Sequence, residues 1–293
     1  MVRVLVHIFT LVFLSALWFG PALAAEAAAS KAPAAESEAK APAPKAEAGQ
    51  AVSPQAVFAA VLVEAEKGDL LARLRVGAFY ENGYGVERNF GKALEWYKKS
   101  ADGGMLEGIY NVGVCYEVGM GTAVNLDRAV AQYRLAAEKG LAQGSYKLAV
   151  MYFSGHGLPK DVAKGLEAMT KAADAGHPRA LNDLAMIRLR GLFGVAPDGA
   201  EAMRRLLAAA DVGSLDAMQN LVVVYAEGLA GQAKDPIKAY KWYLVCRRAG
   251  LPEHLLPQAS GVTTGLDDAG RKTAEKEAEN WIAAWEKKQA GGK

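Results

Sequence analysis

The sequence predicts an all-α protein built as an α-solenoid of antiparallel helix hairpins. Three sets of residues recur with a period of 36 or 37 residues. A small or apolar residue comes first, an aromatic residue follows three positions later in four of five cases, and a glycine follows three positions after that. These sets are Gly77, Gly113, Ala149, Ala185 and Val222; Tyr80, Tyr116, Tyr152, Arg188 and Tyr225; and Gly83, Gly119, Gly155, Gly191 and Gly228. Such a period is typical of repeat proteins, whose units bury their apolar faces by stacking on each other.

A single period explains why each unit is a hairpin. Apolar residues at Ala72, Val76 and Tyr80 are four positions apart, which places them on one face of a helix. Gly83 and Gly85 then supply backbone angles that end the helix. A second helical pattern begins after a predicted N-cap residue, which is Asn89, Asn125, Asp161, Asp198 or Asp235 in the five periods. Each period therefore encodes two helices joined by a glycine-rich loop.

The recurring residues also predict how the helices pack. Gly77 and Gly113 lie where the second helix of the hairpin must approach closely, so a larger side chain would overpack the site. Aromatic side chains fill the remaining space, and the predicted packing residues are Tyr80, Trp96, Tyr116, Tyr152, Tyr225 and Trp242.

The first period resembles a Sel1-like repeat, a relative of the tetratricopeptide helix hairpin. The resemblance is carried by Leu74, Gly77, Tyr80, Gly83, Gly85, Asn89, Lys92–Ala93, Trp96–Tyr97 and Ser100–Ala101. The fifth period matches nearly as well through Tyr225, Gly228, Asp235, Lys238–Ala239 and Trp242–Tyr243. The fourth is weakest, with Arg188 and Leu206 at aromatic positions and an extra residue near Phe193–Gly194. The resemblance implies a right-handed superhelix whose first helices line the concave side.

The periodicity divides the chain into segments. The five repeats are predicted at residues 69–104, 105–140, 141–176, 177–213 and 214–250, between a capping half-repeat at 53–68 and a C-terminal capping region at 251–293. A final helix over residues 267–288 carries Trp281, Ile282 and Trp285 on one side. It is interpreted as a cap for the last repeat, which would otherwise expose an apolar face. The alternative is an amphipathic helix that binds a partner.

The N-terminal residues predict export. Arg3 precedes an apolar run from Val4 to Phe19, and Pro21–Ala24 forms a small-residue cleavage site, so residues 1–24 match a signal peptide. Cleavage after Ala25 and an uncleaved anchor are the alternatives, although the run is shorter than the roughly 20 residues of a spanning helix. Residues 25–52 are almost entirely Ala, Pro, Glu and Lys, which predicts a disordered tether.

Sequence motifs for chemistry are missing. The formal net charge of +2 is too balanced to indicate nucleic acid. His156, His177 and His254 do not follow the H-E-x-x-H spacing of a metal site. Cys115 and Cys246 fall at small or apolar positions of different repeats, which predicts buried free thiols. We therefore expect no catalytic residues, metal or cofactor.

A row of polar residues is the candidate binding site. The residue two positions before each small position is polar in every repeat: Arg75, Asn111, Lys147, Asp183 and Asn220. We call these five residues the polar row. Tyr110 and Tyr146, one position earlier, are aromatic anchors of the kind that dominate interfaces. The alternative is a solvated stripe without a ligand.

The predicted function is a non-enzymatic scaffold that binds a protein or peptide. The resemblance implies an adaptor in a signalling or envelope assembly complex, and the export segment favours a bacterial periplasmic or secreted location. A binder of peptidoglycan or other glycans is one alternative. An enzyme acting on β-lactams or cell-wall material is another, although the relatives linked to that activity carry a Cys pair in each repeat. We expect the protein to be a monomer that does not bind nucleic acid. After signal cleavage we expect no integral membrane segment.

Overall fold

A computed structural model describes residues 53–251, 262 and 265–291, and this part of the chain is helical without a strand. The predicted signal peptide, residues 1–24, and the predicted linker, residues 25–52, lie outside the described residues. The helices are α1 (Pro54–Lys67), α2 (Leu70–Asn82), α3 (Phe90–Asp102), α4 (Leu106–Val118), α5 (Leu126–Glu138), α6 (Ala142–Ser154), α7 (Val162–Asp174), α8 (Pro178–Arg190), α9 (Gly199–Asp211), α10 (Leu215–Glu227), α11 (Pro236–Arg248) and α12 (Asp268–Gly291).

The chain forms two compact units, one up to Leu166 and one from Glu167 onward. In the first unit each helix from α1 to α5 packs against the next helix in the chain. In the second unit α8 to α12 pack in the same successive manner, and α8 also contacts α10. Within each unit the core is therefore built from neighbouring hairpins, as expected for stacked repeats.

The predicted N-caps of the second helices are confirmed. The side chains of Asn89, Asn125, Asp161, Asp198 and Asp235 each accept a hydrogen bond of 2.9–3.0 Å from the backbone N–H three residues later. The backbone N–H of Asn89 also donates to the carbonyl of Tyr80 at 2.8 Å, and the other four caps bond equivalent carbonyls. One residue per repeat thus starts the second helix and ties the loop to the first.

The glycine-rich loops have a structural reason. Gly83 and its four counterparts end the first helices in the left-handed conformation, with φ between 65° and 76°. The second loop glycine meets the repeat before it. A Cβ at Gly85 would lie 2.0 Å from the carbonyl oxygen of Pro54, and one at Gly121 would lie 2.2 Å from that of Phe90. The Gly-x-Gly pairs are therefore turns in close contact with the preceding second helix.

The small positions lie directly against tyrosine rings. A Cβ on Gly77 would lie 2.6 Å from the ring of Tyr97, and one on Gly113 would lie 2.8 Å from the ring of Tyr133. The third repeat reverses the sizes, because Gly165 on the second helix leaves space for the ring of Phe153 on the first. Each hairpin in the first unit thus combines one aromatic side chain with one glycine at its closest approach.

Most of the predicted aromatic packing residues lie in the core. Tyr80, Tyr116, Tyr225 and Trp242 are buried, and Tyr152 is half-buried. Trp96 differs from the expectation, since it is half-buried at the rim with the Lys99 ammonium 3.9 Å from its ring centroid. Cations cover the tyrosines of four repeats, at 5.3–5.9 Å from the ring centroids: Lys92 on Tyr80, Arg128 on Tyr116, Lys164 on Tyr152 and Lys238 on Tyr225.

The fourth repeat departs from its neighbours in the loop. Leu192–Gly194 forms a 3-10 turn, and Phe193 adopts a positive φ of 56°. Arg188 stands at the tyrosine position, and Glu201 stands where the other repeats place the covering cation. The extra residue noted in the sequence is accommodated here without losing the Asp198 cap.

The last helix, α12, packs against α11 and closes the second unit. The Trp281 ring lies 5.0 Å from that of Trp242, and the indole N–H of Trp285 donates to the carbonyl of Asp211 at 3.0 Å. Ala274 and Ala278 are buried on the same helix. These contacts bury one side of α12 against the last hairpin.

Candidate binding surface

The five residues of the polar row differ in how far they are buried. Arg75, Asn111, Lys147 and Asp183 are half-buried, on α2, α4, α6 and α8. Asn220 on α10 is only 5% exposed. The expectation that all five lie outside the core is therefore wrong for Asn220.

The burial of Asn220 follows from its hydrogen bonding. Its side-chain amide donates to Oδ1 of Asn182 on α8 at 2.8 Å, and the amide of Asn182 donates to Asp183 at 3.2 Å. Buried amides require such partners. In the second unit Asn220 therefore forms a buried polar contact between α8 and α10, the first helices of successive repeats.

In the first unit a buried tyrosine holds a carboxylate at the surface. The Tyr133 hydroxyl donates to Oε2 of Glu117, and Lys147 Nζ lies 3.5 Å from the same oxygen. The side chains of Lys147 and Glu117 are 19% and 17% exposed. An ion pair with Glu117 therefore orients the Lys147 side chain, which remains partly exposed to solvent.

The first repeat contains the same pair one period earlier. The Tyr97 hydroxyl donates to Glu81, which corresponds to Glu117. Burial raises the pKa of both tyrosines above its ordinary value, and the neighbouring glutamates raise it further. Both hydroxyls consequently stay protonated as donors, which fixes the two carboxylates.

The predicted aromatic anchors are half-buried. Tyr110 packs on Tyr133, with ring centroids 5.5 Å apart at an interplanar angle of 43°, and Tyr146 is half-buried one repeat later. In the first unit Tyr110 thus adjoins the tyrosine that binds Glu117. We call Arg75, Glu81, Tyr110, Asn111, Glu117 and Lys147 the first-helix surface.

Sequence reasoning missed Glu81 and Glu117. The signal was present, because both glutamates lie four positions after their small residue and both are 16 residues before a second-helix tyrosine. The third repeat lacks both members, with Phe153 and Met169 at those positions. The fifth repeat keeps the tyrosine, as Tyr243, but has Ala226 at the glutamate position, so the Tyr–Glu pair is confined to the first two repeats.

A second charged cluster also escaped notice. Arg205 occupies the position of Trp96 in the fourth repeat, is 9% exposed, and bonds Glu201 and, at 3.2 Å, Asp174. Burial alone would raise the pKa of Glu201, but hydrogen bonds from Arg204 and Arg205 lower it below its ordinary value. The cluster joins α9 to the end of α7 within the second unit.

The described residues contain no group of His, Cys, Asp or Glu able to hold a metal ion. Cys115 and Cys246 are free and buried, and burial raises the pKa of each thiol to about 12. The predicted buried thiols are thus confirmed, and their thiolate forms are disfavoured at neutral pH. None of the helices in this part of the chain has the length and apolar content to cross a membrane.

Stacked hairpins with a mixed polar and aromatic surface define the class of helical-repeat interaction proteins. The family model for the Sel1 repeat matches residues 70–105, 106–141, 142–177, 178–214 and 215–244. The chain belongs to the Sel1 repeat family, which confirms the predicted α-solenoid fold class. Sel1-repeat proteins are generally protein-interaction scaffolds.

Solved structures agree with this assignment. A Sel1 repeat protein from Oxalobacter formigenes is 27% identical, with a TM-score of 0.58, over 77% of this chain and 97% of its own length. The protein c5321, a protective antigen present in uropathogenic Escherichia coli strains with an SLR fold, is 26% identical, with a TM-score of 0.57, over 81% of this chain. The chain spans only 50% of c5321. No curated protein matches the chain.

Proposed function

We propose that this protein is an exported, non-enzymatic scaffold of the bacterial cell envelope, possessing a binding site for a protein or peptide on the first-helix surface. The observation that carries the proposal is the repeated Tyr–Glu pair. Buried Tyr97 and Tyr133 hold Glu81 and Glu117 in place before any partner arrives. Fixing polar side chains in advance lowers the entropy cost of binding.

The charges of this surface support a polypeptide as the partner. Arg75 and Lys147 are positive and Glu81 and Glu117 are negative, while Tyr110 and Asn111 add an aromatic ring and an amide. Tyrosine and arginine are enriched in protein interfaces, and fixed charges of both signs can be matched by complementary charges on a polypeptide. A polyanion such as nucleic acid would favour a single positive sign. Regulation of a signalling or envelope assembly complex is the role we propose for such binding.

Capture from envelope extracts tests this proposal. The double variant Arg75→Glu, Tyr110→Ala should lose the partners that the wild type retains, because it reverses one charge and removes the aromatic contact. Arg134→Glu is the matched control, since it makes the same charge change at an exposed position of α5. Identical partners for all three proteins would refute the assigned surface, provided that their helical circular dichroism is the same.

The same samples address the alternative functions. If the protein sediments with purified peptidoglycan and this binding is lost when Tyr110 and Tyr146 are replaced by alanine, the ligand is a glycan and not a polypeptide. Saturable turnover of a β-lactam by the exported chain would overturn the non-enzymatic role. The low thiolate content of Cys115 and Cys246 supports the absence of cysteine-based turnover.

Export is a further part of the proposal, and it depends on residues 1–24, outside the described structure. We expect the envelope fraction to contain a chain that begins at Ala25. Mass spectrometry of the intact protein measures this directly. A full-length chain that starts at Met1 and stays with the membrane would favour the uncleaved anchor.

A further inference from the structure

The two Tyr–Glu pairs of the first unit differ in one neighbour. Glu117 is held by the Tyr133 hydroxyl, and the Lys147 ammonium lies 3.5 Å from the same carboxylate oxygen. Glu81 is held by the Tyr97 hydroxyl in the same way, but among the described residues it forms no ion pair. The first of these carboxylates is therefore neutralised within the chain, and the second is not.

The repeat period shows which residue has changed. A shift of 36 residues carries the second pair and its lysine onto the first pair, and only the last member differs in type, with Asn111 in place of Lys147. Asn111 has on α4 the position that Lys147 has on α6, and both side chains are half-buried. Lysine carries an ammonium at the end of a four-carbon chain, whereas asparagine has a short, neutral amide. The first group therefore keeps the fixed carboxylate and lacks the cation.

Neither arginine of α2 replaces the missing cation. Arg75 is six positions before Glu81 on this helix, and helical side chains meet when they are three or four positions apart. Arg73 is engaged elsewhere, since its guanidinium donates to the carbonyl of Ala65 and to that of Lys99, each at 3.2 Å. Glu81 thus stays a half-buried carboxylate without a counter-ion from its own helix.

A fixed, half-buried carboxylate of this kind favours a cation from outside. Partial burial removes water from the charge, and an opposite charge at short range compensates for that loss. Tyr97 is 2% exposed, and its hydroxyl keeps Glu81 in place before any ligand arrives. The contact between Glu117 and Lys147 shows that an ammonium fits beside a carboxylate held by a tyrosine in this fold.

We propose that Glu81 and Asn111 form the binding site for a basic side chain, lysine or arginine, of the bound polypeptide. The basic group takes the position that Lys147 has beside Glu117. It pairs with the Glu81 carboxylate and donates a further hydrogen bond to the amide oxygen of Asn111. The inference rests on the proposed binding of a polypeptide and adds the charge of the residue that the first repeat recognises.

Asn111→Lys tests the geometry without any partner. The new ammonium should pair with Glu81 as Lys147 pairs with Glu117. The substitution should therefore raise the urea midpoint more in the wild-type background than in a chain that carries Glu81→Gln, which removes the charge and keeps an acceptor for Tyr97. An equal effect in both backgrounds would mean that position 111 does not face Glu81, and it overturns the site.

Selection from a phage-displayed library of random peptides identifies the charge that the site takes. Peptides retained by the wild-type exported chain should share a lysine or arginine at one position, and peptides retained by Glu81→Lys should share an aspartate or glutamate there. Asn111→Lys should bind a wild-type peptide about tenfold or more weakly, because its own ammonium fills the site. Glu95→Lys makes the same charge change as Glu81→Lys at an exposed position of α3 and should keep the wild-type preference.

The outcomes separate this inference from the proposed function. Retained peptides without a shared basic residue, or with equal affinity for the wild type and Asn111→Lys, overturn the Glu81 site and leave polypeptide binding in place. A wild type that retains no peptide contradicts a peptide ligand and this inference with it. Glu81→Gln is the conservative variant, and it should lose the basic preference with the same helical circular dichroism as the wild type.

Discussion

At the scale of single residues, buried tyrosines determine which carboxylates are fixed at the surface. Tyr133 is fully buried, and its hydroxyl is satisfied by Glu117 instead of by the backbone. Glu117 in turn neutralises Lys147, a member of the polar row. One internal hydroxyl thus positions two charged side chains.

Tyr133→Phe removes the hydroxyl and leaves Glu117 with one partner fewer. We expect the free energy of unfolding to fall by about 1.5–3 kcal/mol, the usual range for a hydrogen bond to a charged group. Urea denaturation measures the loss. A double-mutant cycle with Glu117→Ala, which removes the acceptor, should show that the two changes are not additive, and strict additivity would mean that the pair does not interact.

Gly113 in α4 leaves little room for a side chain beside the ring of Tyr133. Gly113→Leu forces atoms into the ring of Tyr133, so we expect a loss of at least about 1–3 kcal/mol in unfolding free energy. Gly91→Ala is the control, because the nearest atom to its new Cβ is the Asn89 side chain at 3.4 Å. The control should be neutral or slightly stabilising, and thermal melts of both proteins decide between packing and a general effect of losing glycine.

At the scale of elements, the beginning of a helix decides most of the local structure. The second helices all use Asn or Asp, but the first helices begin differently, with Asp69, His177 and Ser214 as side-chain caps and no side-chain bond at Met105 or Leu141. His177 is the unusual cap, since its Nδ1 accepts the N–H of Ala180 at 3.2 Å. An imidazole that accepts through Nδ1 must leave that nitrogen unprotonated.

The cap on α8 should make stability depend on pH. Burial, aided by Arg179, lowers the pKa of His177 from 6.5 to about 4. Between those values the unfolded chain binds the proton and the folded chain does not, so stability is full above pH 6.5 and decreases as pH falls towards 4. Melting temperatures across this range should fall less for His177→Asn, which keeps a cap without titrating. Equal slopes for both proteins would contradict the role of His177.

At the scale of the whole molecule, terminal helices replace the neighbours that terminal repeats lack. α12 supplies indole rings and two buried alanines to the last hairpin, and α1 supplies Phe58 to the first. The two caps differ in composition, because the outer side of α12 is charged and that of α1 is alanine-rich.

Trp281→Ala tests the capping role of α12. We expect a loss of up to about 3–5 kcal/mol in the free energy of unfolding, reduced by the partial exposure of the ring, because the contact with Trp242 disappears. Trp96→Ala is the matched control, since Trp96 is also half-buried but lies at a rim beside Lys99. Circular dichroism melts that give the same loss for both variants would argue against a cap.

Patterns within one period predicted the hairpins, their caps and their turns, because backbone hydrogen bonding and glycine conformation act over a few residues. Gly83 and Asn89, for example, have the same roles in the structure as in the pattern. The environment of Asn220 and the rim position of Trp96 were not predicted, because both depend on contacts between helices that a single period does not contain.

The sequence by itself determined the number of repeats and the helical period, since 36-residue recurrence leaves one way to bury each apolar face. Only the tertiary structure decided which polar residues reach the surface. The environment of a side chain depends on the helix packed beside it. Asn182 accepts a hydrogen bond from the buried amide of Asn220, and Tyr133 donates one to Glu117. Those neighbours are 16 to 38 residues away along the chain, beyond the range of any local pattern.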